Sequence, residues 1–275
     1  MSNPKSLNER IKEQLQADLE ASSGDTTSLN DSLRLLSKWR SVLIGNTYLQ
    51  HQGTLVMQGP LKDLDFLKES AEGCHIAKLL GCYEQPLQAY IEAAIQTAYP
   101  TVLNIGCAEG YYAVGLARRM PNTQILAFDI DAKAQRTCLE LAAKNQVADR
   151  VKVGALFKQE DFARYTDQRV LVLCDIEGAE LQLLDPQMAP ALQHMDLIVE
   201  SHDCLTPGIT QRLVERFKLT HQITVVSDNG QRQLDVTPAW FNNLSHLDQL
   251  LATWEWRAGP TPWLVMKANT VNAKP

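Results

Sequence analysis

A chain of 275 residues, 45% hydrophobic and 21% charged, can bury a sizeable core and has the balance of a globular protein rather than a disordered or fibrous one. A formal charge of −6 and a pI near 5.5 supply no basic stripe for gathering phosphates, which argues against nucleic acid as a partner. No run approaches the roughly 20 apolar residues of a membrane span. The opening "MSNPKSLNERIKEQ" is too polar for a signal-peptide core, and the six cysteines are scattered without a Cys-x-x-Cys pair, so reduced thiols are expected rather than disulfides or zinc ligands. These features place the chain in the cytoplasm, away from membranes.

In chain order, "KSLNERIKEQLQADLE" (5–20) has the pattern of a polar amphipathic helix, and "ASSGDTTSLND" breaks it. A helix over 32–44, a strand-like "GTLVMQGPL" (53–61) and a strong helix over 84–99 follow. Residues 1–95 are therefore expected to form a mainly helical extension, placed over the carboxyl edge of a sheet or in a homodimer contact.

From residue 96 to 275 the pattern changes. Short β-rich runs (101–107, 124–130, 150–155, 169–176, 196–201, 222–228 and 262–268) alternate with helical segments (110–119, 132–146, 159–166, 179–193 and 207–218). That alternation predicts an α/β, Rossmann-like, doubly wound sheet of seven strands, mostly parallel. Pro207 suits a first helical turn, with Thr206 as its cap. A helical connection over 229–261, including "NNLSHLDQLLATWEW", lets the last strand enter antiparallel at the edge.

The loop "VLNIGCAEGYYA" (102–113) ends an apolar strand with Gly106 and Gly110, which lets the backbone approach a ligand where a Cβ would collide. In a dinucleotide fingerprint a glycine takes the middle position; here Ala108 stands there and Glu109 adds a negative charge that pyrophosphate would not tolerate. A ligand with a sulfonium and an amino-acid tail fits better. "FDID" ends the second strand about 20 residues on, where a carboxylate can accept ribose hydroxyls. Asp129 is the candidate, and Asp131 is a cap for the next helix.

The order "VLNIGCAEGYYA", "FDID", "CDIEGAE" (174–180), "VESHD" (199–203) resembles a class I S-adenosylmethionine-dependent methyltransferase, and within that group the FkbM-type enzymes. "DIEGAE" is its most specific element, and "LLGCYEQPLQAYI" (79–91) is similar to a Gly-x-Tyr-Glu helix that precedes the loop in that family. The resemblance covers residues 101 to 228 and implies S-adenosyl-L-methionine as cofactor. It implies that Gly106 and Gly110, with Cys107 between them, wrap the methionine part, that Glu109 or Asn104 holds its amino group, and that Asp129, beside Ile130, takes the ribose. Adenine is expected near Ala155 and Leu156.

Methyl transfer to a hydroxyl requires alignment and removal of a proton. The groups for this lie at the ends of strands four and five: Asp175, Glu177 and Glu180, then Glu200, His202 and Asp203. His202 is one candidate base, with Asp175 and Glu200 beside it. Alternatively Asp175, Glu200 and His202 hold a Mg²⁺ ion that orients the acceptor. A third possibility makes Glu177 and Glu180 servants of a helix N-terminus and His202 a plain loop residue; for Glu180 this is preferred. The expected activity is methylation of a small-molecule hydroxyl, on a sugar or secondary metabolite. N-methylation, a non-catalytic cofactor-binding protein and a nicotinamide-dependent oxidoreductase are the alternatives.

Overall fold

The computed structural model describes residues 5–269 apart from 23, 71, 72 and 258. Helix α1 (Leu7–Ala21) starts at a capping box in which Ser6 and Glu9 satisfy each other's backbone N–H groups, and it lies along α2 (Thr26–Gln52). Asp25 caps α2, which runs longer than its apolar pattern predicts and stops at Gly53. The strand-like 53–61 segment forms a single antiparallel bridge, Leu55 to Asp65, and no strand of the main sheet. Next come α3 (His75–Leu80), a 3₁₀ turn Gln85–Leu87 begun by Glu84 in the left-handed region, and α4 (Gln88–Thr97).

All seven expected strands form, alternating with helices: β1 (Thr101–Ile105), α5 (Tyr111–Arg119), β2 (Gln124–Phe128), α6 (Ala132–Lys144), β3 (Val151–Gly154), β4 (Val170–Cys174), α7 (Glu180–Leu183), β5 (Asp196–Glu200), α8 (Ile209–Phe217), β6 (His221–Val226), α9 (Ala239–Asn242), α10 (His246–Thr253) and β7 (Trp263–Ala268). The expected helix over 179–193 is cut to α7 and a 3₁₀ turn, Pro190–His194, because Pro186 and Pro190 remove N–H donors from its middle. The α8 cap is also different from the one expected. Gly208, not Thr206, precedes the helix, and the Asp203 carboxylate accepts the Gly208 N–H at 3.0 Å.

The sheet order is β3-β2-β1-β4-β5-β7-β6. Strands β1 to β5 pair in parallel, whereas β7 is antiparallel to both β5 and β6. The last strand is thus interior, with β6 at the edge; the sequence-based edge placement is corrected. β7 fits there because its first four residues, Trp263 to Met266, are buried, while β6 has the mixed burial of an edge strand.

Two apolar clusters cover the two faces of the sheet. One contains Leu103, Val172, Leu197 and Phe217; the other joins Val102, Ile125 and Ile198 to Ile44, Tyr48 and Phe66. The N-terminal helices therefore share one core with the sheet. Among the described residues no helix is long and apolar enough to cross a membrane.

Candidate active site

Strand order reverses where β1 stands between β2 and β4, and ligands of such sheets bind outside the carboxyl ends at that point. A cavity of about 690 Å³ opens there, lined by Gly106 after β1, by Asp129 and Ile130 after β2, by Leu156 after β3, and by Asp175 and Glu177 after β4. Gly106 is obligatory. Its φ is +78°, and a Cβ would stand 1.6 Å from the Asp175 carbonyl oxygen. The bare loop thus brings β1 and β4 into backbone contact beneath the cavity.

Asp129 also shapes the loop. One carboxylate oxygen accepts the Ala108 N–H at 2.9 Å, which holds Ala108 at φ +45°, and the other accepts the Asp131 N–H at 2.9 Å. Each carboxylate oxygen retains a lone pair for a ligand hydroxyl. Asp131 caps α6 by accepting the Lys133 N–H. Ile130 and Leu156, 81% and 61% exposed, are large apolar side chains in the cavity lining.

At the β4–β5 end, His202 is buried, with Nδ1 2.7 Å from a Glu180 carboxylate oxygen. Its Nε2 lies 3.5 Å from Asp175 and 3.6 Å from Glu177, both on the cavity wall. Burial opposes the charged imidazole, but the Glu180 bond and the surrounding carboxylates outweigh it and raise the His202 pKa. Burial and the nearby Glu200, Glu84 and Glu177 carboxylates push the Asp175 carboxyl well above the usual range.

Behind these groups lies a buried ion network. Arg257 donates to Glu200 and, at 2.8 Å, to Glu84; it also pairs with Glu255 at 3.0 Å and Asp228 at 3.3 Å. Tyr112 donates to the other Glu84 oxygen at 2.5 Å. Burial, with Glu200 and Glu255 close by, pushes the Glu84 pKa up to about 8 in spite of the guanidinium. Arg257 also lines a separate cavity of about 230 Å³ with Trp254 and Gly259.

No family model and no curated relative matches the chain. Among solved structures it is similar to a precorrin-6y C5,15-methyltransferase from Geobacter metallireducens, at 13% identity over 66% of this chain and 89% of that one, TM-score 0.42. It is similar to an O-methyltransferase from Bacillus cereus in complex with S-adenosylhomocysteine, at 12% identity over 67% of this chain and 81% of that one, TM-score 0.43. A human methyltransferase 10 domain containing protein matches at 12% identity over 84% of this chain and 95% of that one, TM-score 0.45. These identities transfer no residue roles.

Of the residues singled out in the sequence, Gly106, Asp129, Ile130, Leu156 and Asp175 line the large cavity. Asn104, Cys107, Glu109 and Gly110 do not. Asn104 is buried in β1, Cys107 belongs to the core, and Gly110 faces Cys138. Glu109, expected to hold the ligand's amino group, instead has its buried carboxylate accepting through one oxygen from Lys78 and, at 2.7 Å, from Ser70. Burial alone would raise its pKa, but the Lys78 ammonium holds it low.

Asp175, Glu200 and His202 do converge, with one ligand atom of each within 4.8 Å of the others. The trio nevertheless does not fit Mg²⁺. Glu200 is already engaged by the Arg257 guanidinium, which it shares with Glu84, Glu255 and Asp228, and an imidazole replaces one of the oxygens a hard ion prefers. Sequence reading missed Glu180 as the partner of His202, although both stand in motifs it had marked, and it missed Arg257 as the hub of the acidic groups. Only the "DIEGAE" and "ESHD" spacing held a signal for the first; nothing local marks the second.

Proposed function

We propose that the chain is an S-adenosylmethionine-dependent methyltransferase of FkbM-like character, acting on a hydroxyl of a small-molecule acceptor. The observation that carries this reading is the cavity at the switch point, lined by Asp129 after β2 and by Asp175 and Glu177 after β4, with the buried Glu180–His202 pair behind those last two acids. The groups fit such a cofactor. Gly106 keeps a side chain out of the cavity floor, the Asp129 oxygens suit ribose hydroxyls, and the apolar side chains of Ile130 and Leu156 suit a purine.

The cofactor supplies an activated methyl on a sulfonium. The chain supplies placement, which is most of what an in-line displacement requires, and a proton acceptor. His202 Nε2 is that acceptor: it faces Asp175 and Glu177 on the cavity wall, and it acts in the neutral form of the ring. An acidic surface of net charge −6 favours small acceptors over nucleic acid.

Calorimetric titration with S-adenosylhomocysteine tests the reading, in buffer with and without EDTA. Saturable one-site binding, insensitive to EDTA, is expected, followed by an acceptor screen with methyl-labelled cofactor. Absence of binding would sink the proposal.

A further inference from the structure

The Glu180 carboxylate is fully buried, yet it is not neutralised by any Lys or Arg among the described residues. Its Oε1 instead accepts the Gly178 N–H at 3.1 Å and the Ile176 N–H at 3.4 Å, and it lies 2.7 Å from His202 Nδ1. The turn that aims these backbone groups inward costs conformational energy at Glu177, held at φ +53°, while Gly178 takes φ +99° without a Cβ penalty. A single helix-start carboxylate would not require the imidazole as a third partner.

We infer that Glu180 is a positioning residue: it fixes His202 in the tautomer that carries its proton on Nδ1, leaving the Nε2 lone pair toward Asp175 and Glu177, which stand on the cavity wall. An ionised carboxylate only accepts hydrogen bonds, so a neutral imidazole held against it must present Nδ1–H, and the basic nitrogen is then Nε2. Nε2 faces Asp175 and Glu177, both on the cavity wall, while Glu200 adds charge from the end of β5 and is itself bound to Arg257. This rests on the proposed methyl transfer for its chemical use. There, Nε2 takes the acceptor proton while the acceptor oxygen forms its bond to the methyl carbon and the carbon–sulfur bond breaks with its electron pair left on sulfur. Nδ1–H remains on Glu180 throughout, and the positive imidazole is met by a carboxylate already in place.

The test uses the full chain labelled with ¹⁵N-histidine, with the His202 imidazole signals identified by their loss in His202→Asn. At alkaline pH the wild type is expected to show a protonated Nδ1 and a bare Nε2. Glu180→Gln should keep that pattern, since the Ile176 and Gly178 N–H groups hold the amide oxygen in place, and should lose about tenfold in kcat. Glu180→Ala should scramble the tautomers and lose a hundredfold or more in kcat, with KM and S-adenosylhomocysteine affinity within twofold. A wild-type ring protonated on Nε2, or a folded Glu180→Ala with unchanged signals and turnover, overturns the assignment. Should Glu180→Ala not fold, the wild-type and Glu180→Gln spectra decide it. Wild type that shows the expected tautomer but binds no S-adenosylhomocysteine supports the positioning and removes the methyltransferase reading.

Discussion

Glu84 and Glu200 hang on one guanidinium, that of Arg257. Glu84 belongs to the segment before the sheet and Glu200 ends β5, so the arginine ties two distant parts of the chain across the candidate site. Burial, reinforced by the neighbouring Glu200 and Glu255 carboxylates that compete for the same cation, pushes Glu84 up to about 8.

That gives a pH dependence with a definite sign. Between the ordinary carboxyl value of 4.5 and about 8 the folded chain holds a proton on Glu84 that the unfolded chain releases. Stability from this group is therefore complete below that window and lost as pH rises through it. Urea denaturation of Glu84→Gln is expected to show a flatter pH profile across the same window. An unaltered slope would assign the dependence to another group.

Asp129→Ala is expected to weaken S-adenosylhomocysteine binding by ~1.5–3 kcal/mol, since it removes a charged acceptor and frees the Ala108 turn that the carboxylate pins. Titration calorimetry reads the change. Unchanged affinity would take Asp129 out of the site.

Gly106→Ala should be among the most damaging single changes, at ~3 kcal/mol or more, because the added methyl meets the Asp175 carbonyl and the residue must hold φ +78°. The urea midpoint measures it. A loss under ~1 kcal/mol would mean that β1 and β4 separate more readily than their packing implies.

Lys78→Met should cost ~3–5 kcal/mol by leaving the Glu109 carboxylate buried without its cation. Adding Glu109→Gln should recover much of the loss, and a double-mutant cycle on thermal stability tests it. If the cycle shows no coupling between the two positions, the pair is not what holds Glu109.

His202→Asn is expected to lower turnover by ~10²–10⁴ while leaving S-adenosylhomocysteine affinity intact. Full activity in this variant would exclude His202 as the proton acceptor.

The parts of the molecule that were legible in the sequence are those set by neighbours in the chain. Buried parallel strands such as β1 and β4 write continuous apolar runs, and the alternation of β-rich and helical segments marked all seven strands. Asp131 capped the helix beginning one residue later. What failed to show depended on distant partners. Nothing in "PWLVMKA" says that β7 separates β5 from β6, and an acid beside a glycine loop looks the same whether it meets a ligand or, as Glu109 does, a lysine from another helix. Likewise Glu180 reads as a helix-start acid until β5 brings His202 to it.

The insertion of β7 between β5 and β6 also sets an order of assembly. β5 is made before β6, yet its open edge is closed by a strand that emerges later than both. Until then β5 presents bare backbone to any other chain, and Glu200 at its tip waits for Arg257, which precedes β7 by only a few residues. During synthesis on the ribosome the sheet up to β5 is thus exposed to edge-to-edge association, and the charge network of the site is completed only in the final step of folding.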